Sequence, residues 1–255
     1  MSTVSRREVL VGAAAGALTL AGCGASSPER RSGTLRSEHW PGRDVRWEVA
    51  LPERDLAQSP VVIVLHGKGG TARYAFDGLR LHDHVAATGL TLAAVDGGDG
   101  YWHARRSGVD SGAMVVHDFL PLVRRLGGYQ GRVAFLGWSM GGYGSLLLAS
   151  QLGPTTVGAI VAESAALWTG PEGASPGAFD DREDYLAHDV FSRTDVLAQI
   201  PVRLDCGDRD PFVAGNRAFA EALPSAELTI DDGGHTVAYW REHARSQLEW
   251  IAAKL

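Results

Sequence analysis

Cysteine is almost absent from this chain of 255 residues, which contains only Cys23 and Cys206. A small fold held together by a disulfide framework is therefore excluded. Strong charge of one sign is missing as well, because the formal net charge is only -6. No basic patch with interleaved aromatic residues occurs, so we expect no nucleic-acid partner.

Two common cofactor patterns are incomplete. The glycine-rich loops contain neither the G-x-G-x-x-G fingerprint with its acidic partner nor the lysine pattern of a P-loop. His82 and His84 flank Asp83 in a predicted helix. Side chains two positions apart on a helix point to different faces, and the sequence offers no third ligand nearby. We therefore expect no cofactor and no metal ion.

The N-terminal segment is typical of an exported protein. Residues 1–22 contain Arg6 and Arg7 followed by an apolar stretch too short to cross a bilayer. This segment resembles a twin-arginine lipoprotein signal, because it ends in Leu-Ala-Gly before Cys23, as a bacterial lipobox does. Residues 23–35 are rich in Ser, Pro, Arg and Gly, which predicts a disordered tether. We expect a lipid anchor on Cys23 at the outer face of a bacterial cytoplasmic membrane, with secretion as the alternative.

The remainder, residues 36–255, is predicted to form one domain. Short runs of Val, Ile and Leu alternate with segments of helical length. A continuous apolar run such as Val61–Leu65 is typical of a strand buried on both faces of a parallel sheet. The alternation predicts an α/β fold with a doubly wound, mostly parallel sheet. Residues 163–194 form a long irregular insert, which we interpret as a small cap.

One motif organises the chain. Residues 137–141 read G-x-S-x-G, with Ser139 at the centre, an apolar strand candidate before it and a helical run after it. Small neighbours allow the serine to occupy a strained strand-to-helix turn. The first amides of the following helix and its dipole favour negative charge beside the hydroxyl. The alternative is a glycine-rich turn with an incidental serine.

A nucleophilic serine needs a base that a third group holds in place. Two loops after predicted strands offer these groups: one contains Asp208 and Asp210, and the next contains His235. Both loops follow the carboxyl ends of strands, the edge where open α/β sheets place their sites. The order Ser, Asp, His along the chain is that of α/β-hydrolases.

These motifs, together with the H-G loop His66–Gly70, resemble those of the α/β-hydrolase superfamily over residues 40–255. The stretch GWSMGGYGSL is similar to the elbow of the esterase D and antigen 85 (mycolyltransferase-like) branch. The resemblance implies that Ser139 is the nucleophile and His235 the general base. It implies that Asp210 is the acid that orients His235, with Asp208 as the alternative. It also implies an oxyanion hole formed by the backbone amides of Met140 and Lys68, with Gly69 as the alternative to Lys68.

The substrate pocket is less well marked. We interpret His66 as a residue that shapes its own loop rather than as a catalytic group. Five residues, His66 among them, are candidates for the substrate pocket: His66, Tyr101, Trp102, His103 and Trp168. For each aromatic residue a packing role is the alternative.

The predicted function is a serine hydrolase that cleaves carboxylic esters through an acyl-enzyme on Ser139, acting on a small ester or lipid-like substrate. One alternative is acyl transfer to a sugar or lipid hydroxyl by the same three residues, and a peptidase is a weaker one. A third is a non-catalytic surface-binding lipoprotein that retains the fold, since fold alone does not define function.

Overall fold

A computed structural model describes residues 28–255 of the chain. The predicted export signal (residues 1–22) and the predicted lipidation site Cys23 lie outside the described residues. Within residues 28–255, none of the helices has both the length and the apolar composition needed to span a bilayer.

In the described part of the chain, eight strands form one sheet in the order β1-β2-β4-β3-β5-β6-β7-β8. The first two strands are antiparallel to their neighbours, and all pairings among β3 to β8 are parallel. The predicted doubly wound, mostly parallel sheet is therefore confirmed. The strands are β1 (Glu29–Arg36), β2 (Asp44–Leu51), β3 (Val61–Leu65), β4 (Thr91–Val95), β5 (Val133–Trp138), β6 (Val157–Glu163), β7 (Val202–Gly207) and β8 (Glu227–Asp231).

Helices connect the strands on both faces of the sheet. The α-helices are α1 (Tyr74–Asp77), α2 (Val85–Thr88), α3 (Ser111–Met114), α4 (Leu120–Gly127), α5 (Met140–Leu152), α6 (Arg182–His188), α7 (Thr194–Leu197), α8 (Val213–Ala222) and α9 (Val237–Ala252). One π-helical turn, Val115–Phe119, joins α3 to α4. Single 3₁₀ turns occupy Leu56–Gln58, Leu81–His84, Pro171–Gly173 and Val190–Arg193.

Each face of the sheet carries its own hydrophobic core. Ile63 of β3 packs into the core that includes α5 and α8, whereas its neighbour Val64 packs into the core that includes α1, α2 and α9. Successive side chains of a strand point to opposite faces, so a strand covered on both sides must be apolar throughout. All five residues of β3 are accordingly buried.

The prediction of a disordered tether over residues 23–35 is wrong from Glu29 onward, because Glu29–Arg36 is the edge strand β1. An edge strand needs only one apolar face and one paired edge, so a polar, arginine-rich composition does not exclude it. Gly33 lies opposite Trp47 in β2, and a Cβ at Gly33 would come within 2.7 Å of that indole. Arg30 Nε also donates to Glu48 at 2.6 Å across the strand pair.

Candidate active site

Ser139 occupies the turn between β5 and α5 with φ 57° and ψ -121°. A positive φ at a residue with a side chain costs roughly 1–3 kcal/mol and persists only where its surroundings enforce it. Here the Ser139 amide donates to the carbonyl of Glu163 at 2.9 Å. A Cβ at Gly137 would overlap the carbonyl oxygen of Gly141, and one at Gly141 would overlap that of Leu65. Both glycines of the motif are thus required by close backbone packing.

A chain of two hydrogen bonds links the serine, the histidine and one aspartate. The His235 Nδ1–H donates to Asp210 Oδ2 at 2.8 Å. This tautomer leaves a lone pair on His235 Nε2, which accepts the Ser139 hydroxyl proton at 2.9 Å. Asp210 is 2% exposed, and its other oxygen accepts from the Phe212 amide at 2.8 Å, which fixes the carboxylate. Both distances are those of ordinary hydrogen bonds, and the bond between Ser139 and His235 is short enough for a general base to take the hydroxyl proton.

Asp208 has a different environment in the same loop. Its carboxylate is about half exposed, pairs with Arg209 and accepts from the Gly233 amide at 3.2 Å. It therefore ties together the two loops that carry Asp210 and His235 without contacting the imidazole. Of the two aspartates, the structure brings only Asp210 to the histidine.

The imidazole of His235 is held between two aromatic rings. Phe212 and Trp240 pack edge-to-face against it, with centroid distances of 5.3 and 5.0 Å. Trp240 is itself fixed, because its Nε1–H donates to Ser164 Oγ at 3.0 Å. Thr236, the next residue, caps α9 through its side chain. The helix therefore begins immediately after the histidine and sets its position.

The H-G loop after β3 is organised by His66. The His66 Nδ1–H donates to the Gly67 carbonyl at 2.7 Å, and Nε2 accepts from the Gly97 amide at 2.9 Å. Only the neutral ring satisfies both bonds, and burial lowers the pKa of His66. His66 therefore shapes the loop, and it does not line the cleft beside Ser139.

Three backbone amides were predicted as candidates for an oxyanion hole. Met140 is the first residue of α5, so its amide has no partner within the helix. The Gly69 amide is already engaged, because it donates to Asp99 Oδ1 at 2.6 Å. The third candidate, Lys68, lies beside Ser139 in the wall of the same cleft.

The cleft beside the serine has a volume of ≈ 500 Å³. Its aromatic walls are two tryptophans and one tyrosine, with Tyr74 6.0 Å and Trp240 6.2 Å from Trp138 between ring centroids. The lining residues are Gly67, Lys68, Gly69, Gly70, Tyr74, Trp138, Ser139, His235, Thr236, Val237 and Trp240. Sequence reasoning missed Tyr74, Trp138, Thr236, Val237 and Trp240, although Trp138 and Thr236 adjoin Ser139 and His235 in the sequence.

The predicted pocket residues lie elsewhere. Tyr101 and Trp102 have positive φ angles of 58° and 61°, and both side chains are buried. Trp102 packs into the space left by Gly97 and Gly144, where a Cβ would overlap its ring. The prediction that Tyr101 and Trp102 form the pocket wall is therefore wrong, because the loop turns them into the core.

His103 and Trp168 are also removed from the cleft. His103 is 2% exposed and stacks on His188 with a centroid distance of 4.3 Å. Trp168 packs on Phe212, which in turn contacts His235, so it supports the site from behind. Both residues were predicted as pocket residues, and both serve packing instead.

The insert at residues 163–194 contributes no lining residue to this cleft. It packs against the loop after β4, where Arg105 pairs with Asp180 at 2.8 Å. It also contacts α5, where the Tyr143 hydroxyl donates to the His188 carbonyl at 2.8 Å. The insert is thus a side wall of the domain rather than a cover for the cleft.

His103, Asp184 and His188 bring potential metal ligands within 4.8 Å of one another. The two imidazole rings, however, are stacked with an interplanar angle of only 26°. Nitrogen lone pairs lie in the ring plane, so those of nearly parallel rings do not converge on a tetrahedral ion. This arrangement does not fit a single bound metal.

The fold and this site define a serine hydrolase of the α/β-hydrolase class. The model of the Esterase family matches residues 114–250, more than half of the chain, and the chain belongs to that family. The predicted class of enzyme, a serine hydrolase acting on esters, is thereby confirmed. A search of curated proteins found no match.

Solved structures with the same fold cover most of the chain. One is a ferulic acid esterase, with 21% identity, a TM-score of 0.76 and coverage of 90% of this chain and 98% of that chain. Another is an S-formylglutathione hydrolase from Agrobacterium tumefaciens, with 19% identity, a TM-score of 0.77 and coverage of 90% and 96%. A third is a fluorophosphonate-binding serine hydrolase from Staphylococcus aureus, with 17% identity, a TM-score of 0.74 and coverage of 89% and 99%. At such identities the likeness shows the fold alone.

Proposed function

We propose that this esterase cleaves carboxylic esters with a catalytic triad of Ser139, His235 and Asp210. The observation that carries the proposal is the continuous hydrogen-bonded chain of 2.9 and 2.8 Å across these residues. They come from three loops that are remote in sequence, and each loop follows a parallel strand of the sheet. A histidine without a catalytic role is not expected to bridge a strained serine and a buried carboxylate.

In the proposed reaction, Ser139 Oγ attacks the ester carbonyl while its proton passes to His235 Nε2. The buried Asp210 carboxylate stabilises the imidazolium and keeps the ring in the productive tautomer. The imidazolium then protonates the departing alkoxide, and the acyl group remains on Ser139. Water, deprotonated by the same imidazole, attacks the acyl carbonyl. The bond from that carbon to Ser139 Oγ then breaks, the imidazolium returns the proton to Oγ, and the acid is released.

We assign to the backbone amides of Met140 and Lys68 the hydrogen bonds that stabilise the negative charge of each tetrahedral intermediate. Lys68 is preferred to Gly69 because the Gly69 amide already donates to Asp99. Donors of this kind each contribute about 10²–10³ to the rate. The dipole of α5, whose first residue is Met140, adds to the same stabilisation.

The cleft supports a small ester as substrate. A volume of ≈ 500 Å³ bounded by three aromatic side chains accommodates a compact acyl or alcohol group. Lys68 contributes the only permanent charge among the lining residues.

Export and lipid anchoring through Cys23 remain part of the proposal on sequence grounds alone.

The test compares Ser139→Ala with Ser192→Ala, a matched change of a serine in the 3₁₀ turn Val190–Arg193. With p-nitrophenyl acetate, we expect Ser139→Ala to lose about 10⁴-fold or more in kcat/KM and Ser192→Ala to match the wild type. A fluorophosphonate probe should label the wild type and Ser192→Ala only. Equal labelling of Ser139→Ala would place the nucleophile at another residue.

Product analysis then separates hydrolysis from acyl transfer. The wild-type enzyme is given an acyl donor with dilute glycerol, and free acid and acylated glycerol are quantified. We expect free acid to dominate. An excess of acylated glycerol would show a transferase.

A further inference from the structure

The cleft beside Ser139 carries one permanent positive charge and no permanent negative charge. Lys68 supplies the positive charge, and none of the lining residues is an aspartate or a glutamate. The chain as a whole is acidic, with a formal net charge of -6. A preference of the cleft for an anion would therefore arise locally, at Lys68, because the overall charge of the molecule opposes it.

The ammonium group of Lys68 is not neutralised by a neighbouring acid. Within residues 28–255, Lys68 makes no ion pair. Asp99, which approaches the same loop, accepts the Gly69 amide at 2.6 Å. Arg73, the next cation along the chain, is by contrast paired with Asp77. Lys68 is thus a cation of the cleft wall that is available to a charged group of the substrate.

The loop presents Lys68 at the tip of a tight turn. The Gly70 amide donates to the Gly67 carbonyl at 3.0 Å, which makes Lys68 and Gly69 the central residues of a β-turn. Both central residues are exposed, and both neighbours of Lys68 are glycines, so no adjacent side chain shields its ammonium group. The Lys68 amide is the proposed oxyanion donor, so the side chain begins close to the ester carbonyl. In an extended rotamer the four-carbon stem places the ammonium about 6 Å from its own Cα.

We propose that the enzyme prefers esters that carry a carboxylate several bonds away from the scissile carbonyl, and that the Lys68 side chain binds this carboxylate. The inference rests on the proposed function, because it places the ester at Ser139. The aromatic walls of the cleft contact the apolar part of the substrate between the ester and the carboxylate. An ammonium group on a flexible stem binds a carboxylate without requiring one fixed geometry.

Two matched pairs of substrates test this preference, and within each pair only the charge differs. The first pair, 4-acetoxybenzoate and its methyl ester, carries the carboxylate in the alcohol part of the ester. The second pair, mono-4-nitrophenyl adipate and 4-nitrophenyl methyl adipate, carries it in the acyl part. For each protein, the ratio of kcat/KM for the anionic ester to kcat/KM for the neutral ester is measured. This ratio cancels any change in the general activity or folded fraction of a variant.

The variants are Lys68→Met, Lys68→Arg and Lys68→Glu. The matched control is Lys254→Met, because Lys254 pairs with Glu227 at 3.4 Å and does not line the cleft. In at least one pair, we expect Lys68→Met to lower the ratio about three- to fivefold, which is the range of an exposed ion pair. The loss should appear mainly as a higher KM for the anionic ester, since the ion pair is present before the reaction begins. Lys68→Arg and Lys254→Met should keep the wild-type ratio, whereas Lys68→Glu should lower it further than Lys68→Met.

Salt gives a second measurement that needs no variant. Raising sodium chloride from about 0.01 M to about 1 M should lower the wild-type ratio, because salt screens an exposed ion pair. A wild-type ratio that does not change with salt in either pair would overturn the inference. Equal ratios in Lys68→Met and the wild type in both pairs, or equal losses in Lys68→Met and Lys254→Met, would overturn it as well. Absence of both ester cleavage and fluorophosphonate labelling in the wild type would instead refute the proposed function.

Discussion

The buried carboxyl group of Glu163, next to the proposed active site, leads to a prediction about how stability depends on pH. It ends β6, is 1% exposed and lies beside Asp205 of β7 in the register of the sheet. Arg203, the nearby cation, is bonded to Asp205 at 2.8 Å. Burial, and then the charge of Asp205, raise the pKa of Glu163 well above its ordinary value of 4.5. The fold therefore favours the neutral acid form of Glu163.

Two buried oxygen atoms without hydrogen-bond partners are consistent with a proton on the Glu163 carboxyl group. Within residues 28–255, neither Glu163 Oε1 nor Gln247 Oε1 has a hydrogen-bond partner, although both are buried. Gln247 donates to Asp205 at 2.9 Å, and its hydrogen bond to Glu163 lowers the pKa of that carboxyl by less than burial and Asp205 raise it. A protonated Glu163 carries an O–H donor, which an ionised carboxylate lacks. It also keeps a further negative charge away from Asp210.

The consequence for stability follows from proton linkage. In the unfolded chain Glu163 ionises above its ordinary pKa of 4.5, whereas the fold retains the proton. A raised pKa in the fold contributes stability below the unfolded pKa, and this contribution is lost as the pH rises. The slope is about 1.4 kcal/mol per pH unit while the folded group stays protonated. For a folded group that keeps its proton over the whole interval, the cost between pH 5 and pH 7 reaches about 2–3 kcal/mol, which is the upper limit.

Glu163→Gln keeps the shape of the neutral acid and removes the ionisation. We expect the free energy of unfolding of the variant, relative to the wild type, to rise from pH 5 to pH 7 by up to about 2–3 kcal/mol. Urea unfolding of both proteins at half-unit pH steps measures this difference. Glu221→Gln, at an exposed position of α8, is the control for loss of a surface carboxylate. A pH-independent difference between Glu163→Gln and the wild type would refute the reasoning.

Four further outcomes are expected. Asp210→Asn should lower kcat about 10⁴-fold, whereas Asp208→Asn should lower it less than about tenfold, and equal losses in steady-state kinetics would contradict the assignment. Gly141→Ala should lower the melting temperature and abolish activity, because its Cβ would overlap a backbone carbonyl; scanning calorimetry with an unchanged transition would contradict this. Burial raises the pKa of the Cys206 thiol to about 12, so Ellman's reagent at pH 8 should react with it only after denaturation, and rapid native labelling would disprove its burial. Cys23→Ala should move the protein from the membrane fraction to the medium, and unchanged membrane retention would exclude the anchor.

Some elements were predictable because their cause is local in the sequence. The run Val61–Leu65 is apolar at every position, and it forms β3 with the same limits. The G-x-S-x-G motif around Ser139 was equally clear, since close backbone packing at a strand-to-helix turn leaves room only for glycine at its outer positions. The cap of α3 is local as well, because Asp110 is of a residue type that favours helix N-caps and accepts the Ala113 amide at 2.8 Å.

Other elements depend on residues far away in the sequence. The strand β1 looks disordered by composition and is ordered only because β2 pairs with it. Trp102 looked like a pocket residue from its position after β4, but two glycines from other segments provide a buried space for it. The aromatic walls of the cleft come from α1, β5 and α9, and no local pattern links these elements.

The sequence by itself determined the α/β architecture, the strained serine and the order of the three candidate catalytic residues. Such features follow from side-chain size and polarity along one segment. Only the tertiary structure decided that Asp210 rather than Asp208 contacts His235, and that Gly69 is engaged by Asp99. The physical reason is that a hydrogen bond depends on distance and direction, which loops from separate strands acquire only when the sheet has assembled.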